Sequence, residues 1–260
     1  MRPAAVLDAV LDTDRFVLVA VPATGSTNSD LAAGGPVRDG RIAVLTAEQQ
    51  LAGRGRAGRE WVCPAGAGLI FSLRMSLARV APERRGWTGA VLGLAIVRAL
   101  AGEPMITANL KWPNDVLIGP AKCAGILGEL AGDDVVVGAG INVSLVAAEL
   151  PRPDATSLLL AGARSLDRGR LLTAILNELL PVLDAWTAAG GDVDHSGLRR
   201  AYRQECSTLG APVRVELPAG QQVEGVATDI DRDGSVVLRL SDGSLRGFAA
   251  GDVVHLRRQY

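Results

Sequence analysis

Residues 53–59, Gly53-Arg54-Gly55-Arg56-Ala57-Gly58-Arg59, interleave three glycines with three arginines, and Trp61 follows closely. Glycine lets a backbone turn sharply and come close to a ligand. Successive N–H groups in such turns form concave anion sites. Arginine adds planar donors that grip phosphate or carboxylate in pairs and keep their charge. The chemistry indicated is the wrapping of an anion by a loop that stays mobile until the anion arrives. The same composition also suits a solvated basic turn or an arginine-rich RNA-binding segment. A phosphate-binding P-loop is excluded, because no Gly-Lys-Ser/Thr follows. The dinucleotide fingerprint fits poorly, because the next residues lead to a strand rather than a helix.

Three further segments carry candidate chemistry. In Lys111-Trp112-Pro113-Asn114-Asp115 the proline fixes a turn, so Lys111 ends a strand with its ammonium held in one direction. Flanked by Leu110 and Trp112, that ammonium is expected to be partly buried and to need a partner. Asn114 and Asp115 can orient the turn or bind a metal. Lys122 precedes a strand containing Ala124, Gly125 and Gly128, whose small side chains leave room for a ligand or for a packed helix. Gly138-Ala139-Gly140-Ile141-Asn142 closes a β-branched strand, and Asn142 can serve a nucleotide or its own backbone. No nucleophilic machine emerges. His195 and His255 are the only histidines and lie far in sequence from Ser26 and Thr27. Cys63 and Cys123 read as small core residues.

The elements that must position these groups follow from periodicity. Phe16–Val21 and 42–45 read as strands. Between them, Asn28 or Ser29 caps a short helix that Gly34-Gly35-Pro36 ends. Residues 69–77 alternate, with Leu69, Phe71, Leu73, Met75 and Leu77 on one face and Ser72, Arg74 and Ser76 on the other. A buried helix is predicted over 86–100, three strands over 109–143, and an amphipathic helix over Arg168–Ala188 that Pro181 kinks or divides. A short helix spans 198–206. After Gly210, alternating residues, a turn at Pro218-Ala219-Gly220, and Asp233-Gly234 and Asp242-Gly243 between apolar runs predict a small antiparallel barrel.

Composition narrows the class. The 260 residues carry 48% hydrophobic and 21% charged side chains, as in a globular protein with one or two domains. The net charge of -1 lacks the basic excess usual in nucleic-acid binders, so the cationic loop is a local device. Three cysteines without metal-type spacing predict reduced thiols and a cytoplasmic protein. No secretory signal is read at the N-terminus, and the apolar run 90–100 is too short to span a bilayer.

Taken in order, these segments resemble one family. Ser26-Thr27-Asn28, Gln50, the Gly53–Arg59 run, Trp61, Lys111–Asp115, Lys122 with Ala124–Leu127, and Gly138–Asn142 are similar in order and separation to the motifs of bacterial biotin protein ligases. The resemblance implies an α+β fold. A mixed β-sheet catalytic domain covered by helices (1–208) precedes a small SH3-like β-barrel (209–260). It also implies a two-step reaction, in which biotin and ATP give biotinyl-5'-AMP and a lysine of a biotin carboxyl carrier protein then takes the biotinyl group. Carried over residue by residue, Ser26, Thr27, Asn28, Gln50, Gly53, Arg54, Gly55, Arg56, Lys111, Gly125 and Gly140 bind biotin. Arg54, Arg56, Arg59, Trp61, Lys111, Asn114, Lys122 and Asn142 bind ATP or the adenylate. Arg56 and Lys111 are the catalytic pair. Mg²⁺ is implied, with unknown ligands. Ala57 stands where relatives can carry a bulkier residue. Because the ligand-binding turn begins near residue 23, no repressor-type DNA-binding domain and no DNA partner are expected. Neither is a membrane partner, and the protein is expected as a monomer or homodimer. Two alternatives remain: a lipoate or octanoate ligase or transferase of the related fold, and a nucleic-acid binder using the Arg/Gly loop.

Overall fold

The computed structural model describes residues 14–34, 40–217, 220–249 and 251–256. A seven-stranded sheet has the order β1-β2-β3-β7-β6-β5-β4. Its strands are β1 (Phe16–Val21), β2 (Ile42–Ala47), β3 (Gly68–Ser76), β4 (Ala108–Lys111), β5 (Asp115–Ile118), β6 (Ala121–Ala131) and β7 (Asp134–Asn142). β1 and β2 pair in parallel, and all other neighbours are antiparallel. The apolar face of the sheet packs beneath α2 (Thr88–Leu100), which covers β4 to β7, and α3 (Arg168–Ala188), which covers β3, with Leu69, Phe71 and Leu73 buried. The polar face of β3 is equally covered. Ser72 and Arg74 are buried under α1 (Thr27–Ala33). Arg74 pairs with Asp134 at 2.8 Å and donates to the Leu31 carbonyl at 2.7 Å, so it satisfies the open C-terminal end of α1. Among the described residues one helix, α3, is long and apolar enough to cross a membrane, but its apolar stripe lies in the core.

The C-terminal sheet, order β11-β10-β9-β8-β12, is fully antiparallel. It comprises β8 (Pro212–Glu216), β9 (Gln222–Ile230), β10 (Val236–Arg239), β11 (Leu245–Phe248) and β12 (Asp252–His255). Gly234 and Gly243 turn its hairpins at φ 84° and 83°, as the Asp-Gly pairs predict. The expected fold class, a mixed sheet with helices followed by a small antiparallel β unit, is the one observed. Two indoles dock the units. Trp87 Nε1 donates to the Arg232 carbonyl at 2.9 Å and Trp112 Nε1 to that of Gly234 at 2.8 Å.

Several boundaries differ from the sequence expectation. Four strands, not three, fill 109–143, because β4 and β5 are only four residues each and turn at Trp112–Asn114. The cap of α1 is Ser26, whose side chain accepts from Ser29 N–H at 3.5 Å, so Thr27 and Asn28 lie inside the first turn. A 3₁₀ turn at Pro82–Trp87 precedes α2. α3 runs through Pro181 undivided. Pro181 and Asn177, whose carbonyl loses its donor, both face solvent, where water replaces the missing bond. α4 (Leu198–Glu205) matches its expected helix to one residue. Gly35, Pro36, Pro218 and Ala219, called on to break a helix and to turn the C-terminal unit, lie outside the described residues.

Candidate active site

A cavity of about 730 Å³ opens between the polar faces of β3, β6 and β7, the Gly/Arg loop, the β4–β5 turn and β12. Its closed end is polar. Thr27 N–H and Oγ1 donate to Gln50 Oε1 at 2.8 and 3.0 Å. Ser72 Oγ lies 2.7 Å from Thr27 Oγ1 and donates to Asn28 Oδ1 at 2.6 Å. Gln50 reaches this point because Thr24 and Gln50 form a parallel bridge beside the start of α1. The floor exists because β7 lacks side chains there. A Cβ on Gly138 would stand 2.2 Å from Asn28 Oδ1, and one on Gly140 would stand 2.3 Å from Trp61 Cε2. Gly125, paired with Gly140 across the sheet, lies under the same indole.

The loop crosses the cavity, and its arginines are held one by one. Arg54 pairs with Glu129 at 2.7 Å and Arg59 with Asp252 at 2.8 Å. Arg56 Nη1 donates to Asn114 Oδ1 at 3.3 Å, and Gly55 N–H to the Arg59 carbonyl at 2.6 Å. Ala57 adopts φ +54°, the left-handed region that a side chain disfavours, so the loop carries a strained residue where the sequence reading saw only tolerance. Lys122 pairs with Asp115 at 2.5 Å and lies 5.8 Å from the Trp61 ring centroid.

Of the six Arg and Lys side chains on the cavity wall, Arg54, Arg59, Lys122 and Arg152 each pair with a carboxylate. Among the described residues, Arg56 and Lys111 have no carboxylate ion pair. Burial lowers the pKa of both. For Lys111 the Arg152 and Lys122 charges push the same way, while Asp115 and Asp154 oppose them. Two half-buried cations that acidic groups reach only beyond ion-pair distance form a candidate anion site. Lys111 is set there because Leu110 and Trp112, its buried neighbours, anchor both sides of it.

The structure brings the expected residues to one wall, from Ser26 at the cap to Asn142 at the end of β7, with one exception. Gly53 is not on that wall; a Cβ there would stand 2.3 Å from the Trp61 carbonyl, so glycine is required for loop packing. Asn142 donates to the Thr156 carbonyl at 2.9 Å and leaves its buried Oδ1 without a donor. Sequence reasoning missed Ser72, Glu129, Asp252 and His255. Ser72 had a signal, a polar residue inside an apolar strand. Asp252 and His255 had none, because they reach the wall from the C-terminal sheet. Burial and the Lys111 charge lower the pKa of His255, whose Nε2 lies 3.2 Å from Thr208 Oγ1. Cys63 and Cys123 are buried free thiols, pushed up to about 11 and about 12 by burial, and have no catalytic character.

Comparison with known proteins places the chain in a family. Residues 39–144 match the biotin/lipoate A/B protein ligase family, and residues 208–256 match the biotin protein ligase C terminal domain. The chain is 44% identical over 243 residues to the biotin–[acetyl-CoA-carboxylase] ligase of Mycobacterium tuberculosis, covering 91% of this chain and 88% of that protein. Its identity to the enzyme of the same name from Paracoccus denitrificans is 33% over 227 residues, covering 83% and 91%. The biotin protein ligase of Aquifex aeolicus, solved in complex with biotin and ATP, superposes with a TM-score of 0.74 at 26% identity, covering 92% of this chain and 98% of that one. With both of its units matched and these relatives covered along most of their length, the chain belongs to the biotin protein ligase family.

Proposed function

We propose that the protein activates biotin with ATP to biotinyl-5'-AMP, releasing pyrophosphate, and transfers the biotinyl group to a lysine of the biotin carboxyl carrier protein, or carrier domain, of an acyl-CoA carboxylase, releasing AMP. The observation that carries this reading is the pair of cations without carboxylate partners, Lys111 and Arg56, facing one cavity whose other cations are neutralised. Adenylation must bring a carboxylate against a phosphate. At about 4 Å two unit charges repel by ~1 kcal/mol in water and ~4 kcal/mol at an effective dielectric near 20. Lys111 and Arg56 cancel that repulsion where the oxygens meet, and they keep doing so as charge builds in the transition state. The biotin carboxylate is the nucleophile of the first step and the carrier lysine that of the second, so no Ser-His-Asp or thiol machinery is needed.

The polar end formed by Thr27, Asn28, Gln50 and Ser72 suits the ureido ring of biotin, which offers both donors and an acceptor. Gly125 and Gly140, bare of side chains, let the Trp61 indole lie against the sheet, and Trp61 with Lys122 borders the nucleotide. Ser26 contributes by capping α1 and so setting the Thr27–Asn28 geometry. The Gly53–Arg59 loop, with Arg54 and Arg59 pinned at both ends, closes over the adenylate and excludes water from a reactive anhydride.

ATP enters as its magnesium complex. No cluster of three metal-ligating side chains occurs among the described residues, and this suits an ion held chiefly by phosphate oxygens and water. Asn142 Oδ1, on the cavity wall and without a donor among the described residues, would join it. Bound there, the ion would shield the charge of the departing pyrophosphate.

The chain divides functionally at 208/209, the C-terminal unit supplying Asp252 and His255 to the cavity wall. Free cysteines support a cytoplasmic location. Arginines already committed to Glu129 and Asp252 argue against a DNA or RNA role, and nothing in the proposed chemistry needs a membrane. One protomer carries the whole cavity wall, which is compatible with a monomer or a homodimer. The test is transfer of labelled biotin or labelled lipoate, with ATP, to a purified carrier domain. Biotin on the carrier lysine is expected; labelling by lipoate alone would overturn the reading in favour of the lipoate alternative.

A further inference from the structure

Glu129 lies outside the cavity wall, yet its Oε2 joins two parts of the site. It accepts from Asn28 Nδ2 at 2.8 Å and from Arg54 Nη2 at 2.7 Å. The placement follows from strand alternation. On β6, Gly125, Leu127 and Glu129 share one face. The first two line the cavity and the third stands just beyond it. Asn28 is otherwise held by Ser72 at its oxygen and by the Leu127 carbonyl at 3.1 Å. Arg54 has no other side-chain partner among the described residues. The same carboxylate oxygen therefore ties the floor under the ligand to the first arginine of the loop above it.

We propose that Glu129 is a positioning residue that couples loop closure to the biotin-binding turn, so that the loop is held shut over the adenylate through Arg54. This rests on the ligase reading. Removing the carboxylate frees Arg54, loosens the loop and lets Asn28 turn away from the floor, while the reacting oxygens still meet Lys111 and Arg56. Glu129→Ala is expected to speed release of biotinyl-5'-AMP about tenfold and to raise KM for biotin, with kcat for pyrophosphate release changed less than about threefold. Glu129→Gln keeps an acceptor for Asn28 but loses the charge for Arg54. It should retain most of the biotin affinity and still leak adenylate.

The decisive variant is Arg54→Ala with Glu129→Ala. Acting through one another, the pair should release adenylate no faster than Arg54→Ala alone. A merely structural glutamate would lower Tm and the active fraction, leave KM and release rate alone, and add its effect in the double variant. Trypsin nicking of the ligand-free loop at residues 54–59 gives a second readout that needs no substrate, and Glu129→Ala should be cut about fivefold faster. Wild-type release of adenylate or of pyrophosphate reports on the ligase reading. Additive double-variant kinetics, or unchanged nicking, would overturn the coupling whatever acid the enzyme activates.

Discussion

The indole of Trp61 lies so close over Gly140, near the C-terminal end of β7, that a Cβ at that glycine would stand 2.3 Å from Cε2, well inside contact distance. The same indole has its Nε1 buried without an acceptor. On the proposed reading, this rigid ring on bare backbone, whose donor has no acceptor among the described residues, is the wall the nucleotide meets.

Two glycine substitutions grade that relationship. Gly140→Ala must displace the ring, because its neighbour is the middle of a bulky indole. Gly125→Ala would place a Cβ 3.0 Å from Trp61 Cζ3 and 3.2 Å from Lys122 Nζ, and the flexible lysine can give way. Gly140→Ala is expected to weaken nucleotide binding at least about tenfold, and Gly125→Ala by a few-fold, judging by the ~1–3 kcal/mol cost of overpacking. Calorimetry with a non-hydrolysable ATP analogue in the presence of biotin measures both. Equal effects would mean that Trp61 is free to move.

On the proposed mechanism, Lys111 sets the pH dependence of adenylation. Burial holds its ammonium below the ordinary lysine value, so it loses its proton earlier than an exposed lysine as pH rises. The charged form cancels the carboxylate–phosphate repulsion. The rate is therefore full at neutral pH and falls along an alkaline limb that begins below the usual lysine range. Lys111→Arg keeps the charge at any accessible pH. It should lower the rate through altered geometry while moving that limb upward. Lys111→Ala should cost about two to three orders of magnitude, the scale for removing one transition-state charge contact. Single-turnover pyrophosphate release from pH 6 to about 10.5 tests the sign, and an unmoved limb in Lys111→Arg would assign the titration to another group.

Arg74 is the support beneath the biotin turn. It and Asp134 are each only 7% exposed, and Arg74 caps the C-terminal carbonyls of α1. Arg74→Ala leaves Asp134 buried without this counter-charge and should destabilise the fold by ~3–5 kcal/mol. Because α1 carries Thr27 and Asn28, biotin affinity should fall in the fraction that remains folded. Urea unfolding together with biotin titration measures both effects.

What the sequence made legible was the chemistry written in local backbone and side-chain runs. The Gly/Arg loop, the Lys111–Asp115 turn and the Gly138–Asn142 strand end each reach the cavity. Thr27 and Gln50 meet there because Thr24 and Gln50 form a bridge that no local pattern announces. The polar face of β3 was visible as a pattern, but its purpose was not, because Ser72 and Arg74 find these partners 43 or more residues away, on α1 and β7. The strand count in 109–143 was misread since four-residue strands carry too few residues for a period to register. The split of the cations into paired and unpaired was equally hidden. It depends on Glu129, Asp252 and Asp115 arriving from separate strands, and only the folded geometry decides which charges are left for a substrate.

The measurement that tests the central claim most directly is time-resolved pyrophosphate release after mixing the protein with magnesium, ATP and biotin in the absence of any carrier. Activation followed by retention predicts a biotin-dependent burst of about one equivalent per active site and then a much slower phase limited by escape of the adenylate. Release that needs no biotin, or that appears with lipoate and not with biotin, would contradict it.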